Sequence, residues 1–237
     1  QLKFRTLTVE GRYDSKLDGA TKVLFRTAQG YLVETVMLRS GSGRTSLCVS
    51  SQVGCAANCD FCATGKMGIA HDLSAAEMLD QIVVAGELLA EEGRRVRNIV
   101  FMGMGEPLLN YNNMLESIRL ITTEKGMGMS PKRITVSTAG IAKMIMKLAD
   151  DKVRFNLAIS LHSSNDETRS KLMSLNDSVP LQELRDAIRY FYDETNSRIT
   201  YEYILFKGIN DNVNDAKGLA NFCKVSPCKI NLIEYNT

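Results

Sequence analysis

Thr45-Ser46-Leu47-Cys48-Val49-Ser50-Ser51-Gln52-Val53-Gly54-Cys55-Ala56-Ala57-Asn58-Cys59-Asp60-Phe61-Cys62 is the stretch around which the chain organises. Residues 45–52 read as a β-strand that delivers the chain into a loop bearing three cysteines. Downstream, strand-like and helical patterns alternate. Ser74 is placed to cap a helix running to about residue 92, with Glu77 at the capping-box position. Strands follow at 98–104, 133–138, 154–161, 198–206 and 229–235. Helices fall at 111–125, 141–150, 166–175, 181–195 and 215–224. Counted from residue 45, six strands are separated by helices, which predicts an α/β fold with a parallel sheet, barrel-like or doubly wound. Upstream, residues 21–27 and 31–38 flank Ala28-Gln29-Gly30 and predict a β-hairpin. A Gly/Ser-rich break at 40–43 separates this β extension, residues 1–44, from a core over 45–237.

The 237 residues suffice for one sizeable core. No apolar run approaches the roughly 18–20 residues of a membrane span, and Gln1-Leu2-Lys3-Phe4-Arg5 carries no signal-peptide core. Net charge is +2, too small to argue for nucleic-acid binding by itself. Arg94, Arg95 and Arg97 form one basic cluster and Lys132-Arg133 a second. The plain reading of both is solvated helix ends and loop tips, with phosphate contact as the alternative. Met67, Met102, Met104, Met127 and Met129 read as gap-fillers of apolar surface and receive no catalytic role.

Six cysteines occur, at 48, 55, 59, 62, 223 and 228. A chain of this length needs no disulfide framework, so clustered thiols point to metal or redox chemistry. The spacing Cys55-x3-Cys59-x2-Cys62 places three thiolates on one short loop, enough for three irons of a 4Fe–4S cluster. The fourth iron is then open to S-adenosylmethionine (SAM), through its amino and carboxylate groups. Zinc is the competing reading. It commonly wants two close Cys pairs, and here the fourth ligand would have to be Cys48, Cys223 or Cys228. Only two histidines, His71 and His162, are present.

With the string from Cys48 to Cys55, the stretch Gly103-Met104-Gly105-Glu106-Pro107-Leu108-Leu109-Asn110 and the triplet Ser160-Leu161-His162, the sequence resembles the radical-SAM superfamily and, within it, the RlmN family. The resemblance runs from about residue 21 to 236. It implies a partial (β/α)6 barrel and methylation of adenosine C2 in 23S ribosomal RNA and transfer RNA, with a 4Fe–4S cluster and SAM as cofactors.

Ligands of parallel barrels bind at the C-terminal ends of strands. The strand boundaries put the cysteine loop, Gly105-Glu106, Ser137, Ser160-Leu161-His162 and Asn236 on one such rim. Alone, Gly103-Met104-Gly105 could be a tight turn, Ser137 a helix cap, His162 a structural histidine and Asn236 a strand cap. The resemblance makes Gly105, Glu106, Ser137, Ser160, Leu161, His162 and Asn236 SAM contacts. Phe61 reads as a shield for the cluster or as a core aromatic.

The resemblance also implies that one SAM methylates a cysteine near the C-terminus of the full protein, and that a second is cleaved to a 5′-deoxyadenosyl radical. Glu34 matches the family's proton acceptor, and Cys48 its resolving cysteine, which leaves a disulfide; alone, Glu34 would be an exposed strand residue and Cys48 a buried, inert strand cysteine or a fourth metal ligand. The methyl-carrying cysteine is expected beyond residue 237, and an N-terminal RNA-recognition domain outside this chain, so a fragment that binds cluster and SAM without turnover is expected. The implied partners are 23S rRNA, tRNA and an electron donor such as flavodoxin or ferredoxin. The expected form is a monomer in the cytoplasm or in an organelle with bacterial-type ribosomes. Two alternatives stand beside this reading: a C8-methylating relative, and a non-enzymatic zinc module that binds RNA.

Overall fold

The computed structural model describes residues 5–235. Along the chain run β1 (Leu7–Asp14), β2 (Thr21–Thr27), β3 (Leu32–Arg39), β4 (Thr45–Cys48), β5 (Gln52–Gly54), α1 (Ala63–Lys66), β6 (Ile69–Asp72) and α2 (Ala75–Glu91). Then come β7 (Asn98–Phe101), α3 (Tyr111–Thr122), β8 (Ile134–Thr138), α4 (Ala142–Asp150), β9 (Asn156–Ser160) and α5 (Asp166–Leu172). The chain continues through α6 (Leu181–Thr195), β10 (Ile199–Leu205), α7 (Val213–Phe222) and β11 (Cys228–Glu234). Two compact units form, one from residues up to Ala56 with Met67–Val136, the other from Ala57–Lys66 with the residues from Ser137 onward.

In the first unit β1, β2, β3 and β4 are antiparallel neighbours, and β4, β7 and β8 pair in parallel. The hairpin between β2 and β3 closes where expected. Thr27 N donates to Tyr31 O at 2.9 Å, and Gly30 sits at φ +91°, a left-handed conformation suited to glycine. β1 was not legible: among the described residues it pairs only with β2, carries a bulge between Val9 and Gly11, and leaves most of its side chains in water, so no apolar alternation marks it. The sheet alternates clearly further in. Val33, Thr35, Met37, Leu47, Ile99 and Phe101 are fully buried on one face, while Glu34, Val36, Cys48 and Val100 are half-buried on the other.

α2 begins as expected, with Glu77 N donating to Ser74 Oγ at 3.2 Å and Ser74 N donating to Glu77 Oε2 at 2.8 Å. Its Met78, Ile82, Ala85 and Leu89 recur at helical spacing and are fully buried. Each large side chain buried in this way contributes about 1.5–3 kcal/mol.

Two strands are shorter than the sequence suggests. The expected strand 45–52 breaks after Cys48, because the buried Gln81 carboxamide replaces a neighbouring strand. It accepts from Ser50 N at 2.9 Å and Thr35 Oγ1 at 2.6 Å, and donates to Ser50 O at 3.0 Å. Residues 52–54 then pair with β6 as a separate two-stranded sheet. The expected strand 98–104 ends at Phe101, since residues 102–105 turn against 49–52.

In the second unit β9, β10 and β11 are parallel and in register: Ser160 lies beside Glu202, and Glu202 beside Asn231. On the face opposite that row Tyr201 meets Phe222 of α7 edge-on at 5.5 Å. The six parallel strands and intervening helices expected from residue 45 onward are therefore present, as two runs of three. No helix among the described residues is long and apolar enough to cross a membrane.

Candidate cofactor site

In the first unit the segment after β7 is pressed onto the segment after β4. A Cβ on Gly103 would lie 2.6 Å from Ser50 Oγ, and one on Gly105, at φ +101°, 2.6 Å from Gln52 Cβ. Only glycine allows backbones this close. Ser50 Oγ donates to Glu34 O at 2.5 Å and accepts from Met104 N at 2.8 Å. Gln52 Oε1 accepts from Glu106 N at 2.8 Å, and the buried Glu106 carboxylate accepts from Leu108 N at 3.0 Å. The turn reading of this glycine segment is thus correct as far as it goes, and the turn also presents Glu106 at a strand end.

Cys55 is buried, its N–H donating to Gly68 O at 2.9 Å. Cys48, the last residue of β4, stands across from Val36 of β3 and Val100 of β7. Burial pushes its thiol up to about 11, and a backbone hydrogen bond with Met102 pulls it partly back. Glu34 is half-exposed and paired with Lys22 Nζ at 2.9 Å.

In the second unit Cys59 and Cys62 share a turn, Cys62 N donating to Cys59 O at 3.1 Å, and α1 follows directly. A Cβ on Gly65 would come within 3.0 Å of Cys59 N, so α1 rests against the loop backbone. Asp60 N donates to Leu172 O at 2.8 Å and Cys59 bridges Met173, which ties the loop to the end of α5. Phe61 meets His162 edge-on at 4.9 Å and Phe206 at 5.4 Å. These ring contacts fit its reading as a core aromatic as well as its reading as a shield.

Ser160 closes β9, with Leu161 and His162 just beyond it. His162 adopts φ +55° and is buried, its Nδ1 accepting from Ile204 N at 3.1 Å. The neutral ring therefore carries its proton on Nε2. Burial drives its pKa down to about 3, and the nearby Arg169 cation adds to the shift. Ser137 lies on the half-exposed face of β8, one residue before its end. Asn236 lies outside the described residues.

Two residues of this site escaped the sequence reading. Arg169 is fully buried yet carries a guanidinium. Its Nη2 donates to Ala139 O at 2.6 Å and Ser160 O at 3.3 Å, its Nε to Leu161 O at 3.2 Å and its Nη1 to Asn176 Oδ1 at 2.9 Å. Burial lowers its pKa to about 10, opposed by Cys59 and Asp166, so the group stays charged. In sequence it is one more charge on a polar helix. Glu202 is also buried, holds Asn231 Nδ2 at 2.7 Å, and has its pKa raised by desolvation. Its available signal was a carboxylate between Tyr201 and Tyr203 in an otherwise apolar strand.

The donor set suits an iron–sulfur cluster. The soft thiols of one short loop have a buried cation beside Cys59 to offset anionic charge, and an apolar wall at Phe61. Among the described residues no three His, Cys, Asp or Glu groups converge on a point that one metal ion could occupy. In a cubane each thiolate takes a different iron.

The comparisons agree with this chemistry. The family model of the radical SAM superfamily matches residues 49–220. A protein of Flavobacterium psychrophilum called "Probable dual-specificity RNA methyltransferase RlmN" is 52% identical over 92% of this chain and 63% of its own length. A protein of the same description from Christiangramia forsetii is 50% identical over 95% of this chain and 64% of its own. The chain thus spans a little under two thirds of these curated relatives. The crystal structure of a radical SAM methyltransferase from Sphaerobacter thermophilus superimposes with a TM-score of 0.94 at 43% identity, covering 98% of this chain and 68% of that one. Strand-end thiols, glycine-enforced turns and a matching core lead to one conclusion: the chain belongs to the radical SAM superfamily.

Proposed function

We propose that this chain is the catalytic core of an enzyme that methylates C2 of adenosine in 23S rRNA and tRNA. The observation that carries the reading is the Cys55-x3-Cys59-x2-Cys62 loop, set in a sequence 52% identical to a relative named as a dual-specificity RNA methyltransferase. Adenine C2 is an electron-poor carbon with a non-acidic C–H, and ordinary methyl transfer needs a nucleophilic acceptor. When bound, a 4Fe–4S cluster and SAM supply the one-electron chemistry that such a carbon requires.

The chain's own residues take the remaining tasks. Cys55, Cys59 and Cys62 hold the cluster as thiolates, and the Arg169 cation lies beside Cys59. Phe61, Phe206 and His162 keep water away. Gly105 lets backbone approach the methionyl end of SAM, and Glu106 accepts from its ammonium. Ser137, Ser160, Leu161, His162 and Asn236 position its ribose, carboxylate and adenine. Glu34 takes the C2 proton, as a carboxylate within reach can do. Cys48 is the resolving thiol that ends turnover in a disulfide. In the structure none of the six cysteines is joined in a disulfide. Residues 1–44 serve as a β extension to the core at 45–237. A flavodoxin or ferredoxin donates electrons to a monomer in the cytoplasm, where reductant is available.

Nucleoside mass spectrometry tests the reading. The anaerobically reconstituted protein, in its full-length form, is incubated with rRNA and tRNA, SAM and reductant. 2-Methyladenosine is the expected product. 8-Methyladenosine would transfer the assignment to the C8 enzymes, and zinc in place of iron would end it.

A further inference from the structure

Two basic clusters that are separate in sequence meet at one cleft of the first unit. Its volume is about 590 Å³, and its lining includes Arg94, Arg95 and Arg133 with Gly128 and Ser130. No aspartate or glutamate lines it, although the chain has 27 of them. The carboxylate nearest in sequence is already engaged: Glu92 takes Arg39 at 2.6 and 2.8 Å and Arg12 at 3.6 Å, which leaves Arg94 a loose 3.9 Å contact. Arg95 and Arg133 have no carboxylate within 4.0 Å among the described residues. Like charges gathered without counter-charge repel, and an anion with several acceptor oxygens relieves that repulsion. The turn carrying Gly128, at φ +60°, leaves open space above it, so backbone as well as guanidinium is accessible to a ligand.

Within its own unit the cleft lies at the strand ends opposite the candidate cofactor residues. Arg95 precedes β7 and Arg133 precedes β8, so both stand at the N-terminal ends of parallel strands. The candidate cofactor residues of this unit follow the C-terminal ends.

We propose that this cleft binds phosphate, and that the phosphodiester backbone of RNA supplies it, as a contact remote from the modified base. This rests on the reading of the protein as an RNA-modifying enzyme. Guanidinium forks match phosphate oxygens without reading sequence, so the cleft would add affinity and orientation rather than base specificity.

The test is fluorescence anisotropy of a labelled RNA stem-loop across a salt series, with Arg95→Gln/Arg133→Gln against wild type. Loss of two phosphate contacts should weaken binding about tenfold at low salt and reduce the slope of log affinity against log salt by about 1.5 to 2. Arg95→Lys/Arg133→Lys should recover most of the slope, and the exposed pair Arg189→Gln/Lys217→Gln should leave it unchanged. Equal losses in both Gln pairs, or wild-type binding by Arg95→Gln/Arg133→Gln, would overturn the proposal. Inorganic phosphate is titrated separately by calorimetry. Tight phosphate binding that needs Arg95 and Arg133 while RNA binding ignores them would also overturn it, assigning the cleft to a free phosphate compound. The binding readout needs neither cofactor nor turnover. Failure of the methyltransferase reading would therefore appear separately, as RNA bound without methyladenosine formed.

Discussion

Cys48 and Glu34 project from the same face of the sheet. Cys48 lies directly across from Val36, and Glu34 precedes Val36 by two residues on the same strand, so the pair are diagonal neighbours. Such diagonals separate Cα atoms by about 7–8 Å. The opposite face is packed against α2.

Cys48 should react slowly as a thiol. Its pKa stands near 11 against an ordinary 9.0, so around neutral pH its thiolate fraction is lowered by about a hundredfold. Ionisation, and with it alkylation, grows as pH rises through the raised value. Iodoacetamide labelling followed by mass spectrometry should give a midpoint near 11. A midpoint at 8–9 would show that the folded environment does not suppress the thiolate.

His162 should make the protein acid-sensitive. Its folded pKa, near 3, lies below the unfolded 6.5. Its contribution is therefore complete above pH 6.5 and declines as pH falls toward 3, by at most about 1.4 kcal/mol per unit. Urea unfolding of His162→Gln should show a shallower acid slope by up to one proton. Identical slopes in the two proteins would refute this.

Arg169 should be a structural keystone of the second unit. Arg169→Met removes the donors for three carbonyls and Asn176 in a dry environment. The expected destabilisation is about 3 kcal/mol or more, with Arg169→Lys recovering only part because it lacks the fork. Chemical denaturation measures both, and a loss below 1 kcal/mol in Arg169→Met would contradict the hydrogen-bond account.

Gly105→Ala should damage fold and ligand binding together. The residue sits at φ +101° and its new methyl would strike Gln52, whose carboxamide holds Glu106 N. A cost of about 2–3 kcal/mol follows from strain and displacement. Calorimetry should show weakened SAM binding along with a lower Tm, and unchanged values for both would argue against close backbone approach as the reason for glycine here.

Cys59→Ala should abolish the brown colour and most of the iron of anaerobically reconstituted protein, whereas Cys48→Ala should retain both. Visible absorbance and iron analysis read the result. Full iron in Cys59→Ala would discard the ligand assignment.

The alternation of strands and helices after residue 45 was legible because buried strands and amphipathic helices leave apolar periods in sequence. The α2 cap was legible because Ser74 and Glu77 satisfy each other locally. β1 and the break after Cys48 were not, since an exposed edge strand leaves no period and the break depends on Gln81, thirty-one residues from Ser50. Arg169 and Glu202 were missed for a related reason: a charged residue reads as solvated until packing removes the water.

By itself, then, the sequence determined the thiol spacing, the parallel α/β order and the glycines beside Glu106, all of them set by chain-local chemistry. Only the tertiary structure decided which face carries Cys48 with Glu34, that a buried guanidinium holds the strand end at Ser160, and that two basic segments share one cleft. Those relationships join residues far apart in the chain, and they depend on register and burial, which a linear pattern does not contain.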